Sequence, residues 1–146
     1  MAEGYTEAIQ KALDVALKSF ADANSMAVQF ENGQLMLNGA PVAMSTSQPY
    51  LAGYCLPAGV DSADLYFTDR RSGIYQIDIN YASTTGSASL NRMTDKLNTA
   101  FAAGTCLSRS PVSVEITRFS HERVNIANGW ATKSITLEWI THTARL

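Results

Sequence analysis

Residues Gly73-Ile74-Tyr75-Gln76-Ile77-Asp78-Ile79-Asn80-Tyr81 alternate without a break, placing Tyr75, Ile77, Ile79 and Tyr81 on one face and Asp78 on the other. A period of two is that of a β-strand with one face buried. The polar run Asp69-Arg70-Arg71-Ser72 reads as a turn before it, and Ser83-Thr84-Thr85-Gly86 leads from it into a helical pattern. The unit is strand, loop, helix, with no catalytic signature inside it.

Working outward, Ile9, Ala12, Leu13, Ala16, Leu17 and Phe20 recur at steps of three and four, the stripe of an amphipathic helix from Thr6 to about Ala23. Lys11, Asp14, Lys18 and Asp22 fall on its polar side, Thr6 is the expected N-cap, and Asn24-Ser25 the expected stop. Met26 to Phe30 reads as a short strand, and Asn32-Gly33, Asn38-Gly39 and Pro41 predict turns around a small hairpin through Leu35 and Leu37. Pro49 to Pro57 reads as a strand whose length is set by its bracketing prolines. That strand and the one at 73–81 are expected to form a long-looped antiparallel pair.

A second helix is capped by Ser87 or Ser89, buries Leu90, Met93, Leu97, Ala100 and Phe101, and stops at Gly104, where a left-handed residue is needed. Val112, Val114 and Ile116 alternate after Pro111, as do Ile135, Leu137 and Trp139 near the end, with Asn128-Gly129 between the two runs. The elements describe an α+β domain over 1–146, a mostly antiparallel sheet with two helices packed on one face. A chain of 146 residues holds one domain of this kind.

With 46% hydrophobic and 16% charged residues the chain is poor in charge, which fits a surface partly covered by another subunit. A net charge of -2, with eleven scattered Lys and Arg, does not suit a protein that grips DNA. Neither a basic leader nor a run of eighteen apolar residues is found, so the reading is of a soluble, unexported protein without a membrane partner. Cys55 and Cys106 form no Cys-x-x-Cys pair and have no histidine at ligand spacing, and they read as reduced core residues in apolar strands rather than as a disulfide.

Chemistry is hard to find. Gly-rich phosphate loops are lacking, and His121-Glu122-Arg123-Val124-Asn125 puts Asn125 where a zinc helix needs its second histidine. Asp61, Asp64 and Asp69 lack the glycine and terminal glutamate of a calcium loop, and His142 reads as a surface group. No catalytic residue, cofactor or metal is therefore expected. Arg70 and Arg71, the one adjacent basic pair, form the candidate interface, since guanidinium forks bind carboxylates in pairs of hydrogen bonds. Tyr50, Tyr54, Tyr66, Phe67, Tyr75 and Tyr81 are core or interface aromatics, with Tyr75 and Tyr81 assigned to the core.

The order and spacing of Ala8 to Leu13, Tyr50 to Pro57, Gly73 to Ile79, Leu90 to Leu97 and Trp130 to Leu137 resemble the tail-terminator (tail-completion) proteins of long-tailed bacteriophages. The resemblance implies a structural, non-enzymatic subunit. It implies a hexameric homo-oligomeric ring that caps the tail tube, stops its polymerisation and meets the head-side connector protein. The expected partners are thus other copies of itself, the tail tube protein and the connector, with DNA passing through the ring without specific binding. Its expected place is the head-proximal end of the virion tail, after assembly in the host cytoplasm. A head-tail connector or neck subunit is the alternative within the virion, and a small ligand-binding or hydrolytic domain using His121 and Glu122 is the alternative outside it.

Overall fold

The alternating run at 73–81 is the inner part of β5, Thr68–Ala82, which the computed structural model pairs along its length with β4, Tyr50–Ser62, and β9, Trp130–Ala144. Residues 4–31, 33–42, 48–62, 68–84 and 87–144 are described. Asn32, Asp64, Tyr66, Phe67 and Thr85-Gly86, all named in the sequence reading, lie outside them.

The helices are α1, Tyr5–Ala23, and α2, Ser87–Ala100. The remaining strands are β1 (Ala27–Phe30), β2 (Met36–Leu37), β3 (Ala40–Pro41), β6 (Cys106–Arg109), β7 (Val112–His121) and β8 (Asn125–Ala127). They join one sheet in the order β3-β2-β1-β4-β5-β9-β7-β6, with β8 paired to β9 off this path. All pairs are antiparallel except β1 with β4. The α+β, mostly antiparallel reading therefore holds.

Two of the three asparagine-glycine turns, at 38–39 and 128–129, form as the sequence indicates, and the third includes Asn32, outside the described residues. Asn38 and Gly39 have φ of 50° and 83°, and Asn128 and Gly129 have 53° and 81°, the left-handed pair that closes a two-residue hairpin. The second closes β8 onto β9, while Phe119 to His121 extend β7.

Tyr75, Ile77, Ile79, Ile135 and Leu137 are fully buried and share one cluster with Leu13 and Leu17 of α1, Leu90 and Leu97 of α2, and Val114 and Ile116 of β7. Each such side chain contributes about 1.5–3 kcal/mol on burial. Phe20 and Phe101 meet at 6.4 Å between ring centres, joining the end of α1 to the residue after α2.

Several local expectations are overturned. β4 does not stop at Pro57 but runs on to Ser62. Pro57 points the same way as Cys55, whose N–H faces away from β5, so the missing donor costs no ladder bond, and a bulge between Pro57 and Gly59 absorbs the irregularity. Asp69 to Ser72 are strand rather than turn, because β4 and β9 pair with them from both sides and override their weak strand propensity.

At its N-terminus, α1 is capped by Gly4 without a side-chain bond, leaving Thr6 inside the helix. At the other end, Asn24 and Ser25 stop it, Ser25 with a φ of 55°. α2 ends at Ala100, and Gly104, with φ 95°, turns the chain into β6 by donating to the Ile116 carbonyl. Both cysteines are free thiols, but Cys106 is exposed on β6 and Cys55 half-buried, so neither is a core residue.

Candidate assembly surface

Alternation divides the sheet's side chains into two sets. The set opposite the buried run comprises Tyr54 and Leu56 on β4, Ile74, Gln76, Asp78 and Asn80 on β5, and Thr132, Ser134, Thr136 and Glu138 on β9, in cross-strand register. Its centre is held by hydrogen bonds. Ser134 Oγ and Gln76 Nε2 both donate to Asp78 Oδ1, at 2.8 and 2.9 Å, and Thr132 Oγ1 donates to Asn80 Oδ1 at 2.7 Å. These bonds fix the carboxylate of Asp78 in place.

Beside this network lie exposed apolar groups. Leu56 is 49% exposed and faces Ile74 across the strands, with Tyr54 next to it. Together with Glu31, Gln76 and Asp78, Tyr54 and Leu56 line a shallow open groove. Burial, then Asp78 and then Glu31 push the Tyr54 phenol above its ordinary pKa, as a locally negative field does.

The same region contains a sheet edge. β1 ends at Phe30, opposite Gly53, and among the described residues no strand pairs with β4 on that side from Tyr54 onward. Glu31 accepts the Cys55 N–H at 2.9 Å, Pro57 has no N–H to offer, and the bulge follows. These are the devices by which an edge is kept from pairing with another chain's backbone.

Arg70 and Arg71 diverge. As neighbours on β5 they point to opposite sides of the sheet. The Arg71 guanidinium lies 5.0 Å above the Tyr5 ring and donates through Nε to Thr143 Oγ1 at 3.2 Å. It also borders a cavity of about 90 Å³ with Thr6, Ile9, Cys55, Val60 and Trp139. Arg70 is exposed.

A basic stripe on α2 drew no notice in the sequence. Arg92 and Lys96, four residues apart and exposed, line a depression with Tyr81, Ser89 and Met93. Burial raises the Tyr81 phenol and Arg92 pulls it back. Lys133, buried beneath, donates through Nζ to Asn91 Oδ1 at 3.2 Å.

The residues weighed for chemistry do not assemble. His121 ends β7 and Asn125 begins β8, so the segment has no helix on which ligands four apart would converge. Among the described residues no three His, Cys, Asp or Glu side chains come together as metal ligands. Burial, then Asp14 and Glu31, push the Cys55 thiol up to about 11, which keeps it protonated and a poor nucleophile. Tyr75 is in the core, as read from the sequence, and Tyr81 is half-buried against it. No described helix is long and apolar enough to cross a membrane.

A family model described as phage tail terminator protein matches residues 8–139, nearly the whole of this arrangement. The chain belongs to the phage tail terminator family. A solved structure superposes on this tail terminator with a TM-score of 0.75, covering 95% of this chain and 96% of that chain at 19% identity, a likeness of fold. Among curated proteins none matches in sequence. Family membership makes the chain a structural component of a bacteriophage tail, and the resemblance seen in the sequence is to the right family.

Proposed function

We propose that this chain forms a closed ring of six copies that caps the head-proximal end of the tail tube, stops its polymerisation and offers a junction to the head-side connector. The family match over residues 8–139 carries this reading. The geometry supports it by offering a sheet with one buried set of side chains and, opposite it, a fixed polar network with exposed Tyr54, Leu56 and Ile74 for neighbours. Assembly takes place in the host cytoplasm.

In this reading DNA passes through the ring without specific binding, consistent with a net charge of -2. Arg70, exposed at the far end of β5, is a docking residue toward the tube or a neighbour, while Arg71 braces its own subunit.

The test is native mass spectrometry of the purified chain and of the chain bound to tail tubes, together with electron microscopy of tails made without it. Six-copy rings and tails of uncontrolled length are expected. Monomers in both preparations, or filaments that grow without closing, would overturn the reading.

A further inference from the structure

In a ring of more than two copies each subunit meets its two neighbours through two different surfaces, so each chain must carry a complementary pair. Resting on the ring reading above, we propose that the groove of Glu31, Tyr54, Leu56 and Asp78 on one copy receives Arg92 and Lys96 of α2 from the next copy.

The two surfaces are complementary in charge. The groove has an apolar floor of Tyr54 and Leu56 between two carboxylates, Glu31 and Asp78. The α2 depression sets two cations beside the apolar bodies of Tyr81 and Met93, and Asp95 of the same helix lies outside it. Charges that match across a contact steer the encounter and fix its register.

They also face in opposite directions. Tyr81 is an odd-numbered neighbour of Ile77 and Ile79, whereas Asp78 lies on the other side of β5. One copy can therefore engage a neighbour on each side at once. Backbone pairing along β4 is disfavoured by Glu31, Pro57 and the bulge, so at this groove association goes through side chains.

The experiment uses two full-length variants. The first carries Glu31→Lys with Leu56→Lys, making both surfaces basic, and the second carries Arg92→Glu with Lys96→Glu, making both acidic. Each alone should lower the ring fraction at least about tenfold against wild type at equal concentration, free and on purified tubes, in native mass spectrometry. Mixed in equal amounts they should regain rings of alternating subunits, recognised by mass. Should the first variant lose its circular dichroism spectrum, Leu56→Lys alone replaces it.

Wild-type rings with both variants assembling normally would overturn this pairing while leaving the ring intact. Variants that fail alone and also fail when mixed would show that the two surfaces do not meet each other. A wild-type protein that is monomeric both free and on tubes would instead remove the ring reading itself.

Discussion

The phenol of Tyr75 donates a hydrogen bond of 2.5 Å to Oδ1 of Asp14, tying the middle of β5 to the middle of α1. Asp14 reads in the sequence as a solvated residue on the polar side of its helix, yet it leans over the sheet to meet the one polar atom of a fully buried side chain. An unpartnered hydroxyl there would cost about 1–3 kcal/mol. Tyr75→Phe should therefore lower stability by roughly that range, through the bond lost between the strand and Asp14, as read from denaturant midpoints.

Burial is the main cause that raises Asp14 above its ordinary 3.8, opposed by the hydrogen bonds from Tyr75 and Gln10 and reinforced by Glu31. A carboxyl whose folded pKa is raised favours the folded state fully below the unfolded value, and that stabilisation is lost as pH rises through the folded value. Upward from 3.8, wild type should thus lose stability relative to Asp14→Asn. Parallel stability curves for the two proteins across that range would contradict it.

Gly53 makes the Tyr75 contact possible. A Cβ at that position would meet the Tyr75 hydroxyl and sit 2.8 Å from Leu17 Cδ2, whereas one at Gly59 would meet nothing within 4 Å. Gly53→Ala should cost about 1–3 kcal/mol through overpacking, and Gly59→Ala should leave the melting temperature nearly unchanged.

Ile77→Asp places a carboxylate at a fully buried position without a partner, a loss of several kcal/mol against a total stability on the order of 5–15 kcal/mol. Asp78→Asn, on the other side of the strand, keeps an oxygen to accept from Ser134 and Gln76 and should be tolerated far better. Thermal melts of the two variants check the assignment of strand faces.

Reversing Arg70 and Arg71 separately should divide stability from docking. Arg71→Glu removes the stacking on Tyr5, about 0.5–1 kcal/mol, and the bond to Thr143, so it should lower the melting temperature. Arg70→Glu should slow docking to the tube, more so at low salt. Normal assembly kinetics for Arg70→Glu would remove that arginine from the interface.

Periodicity alone located the main elements: the stripe from Ile9 to Phe20, the alternations at 73–81, 112–117 and 134–139, and the Asn-Gly turns are local properties of the chain. The family resemblance could be read from the same local features in their order. Tertiary pairing decided the rest. Asp69 to Ser72 became strand because two neighbours satisfied their backbone groups, and β4 passed through Pro57 because that residue faces an edge. Asp14 joined Tyr75 across sixty-one positions of sequence. The groove was hidden for the same reason: Glu31, Leu56 and Asp78 are ordinary charges and an apolar residue until the sheet register brings them together. Which groups are near one another depends on distances across the fold, and no window along the chain contains them.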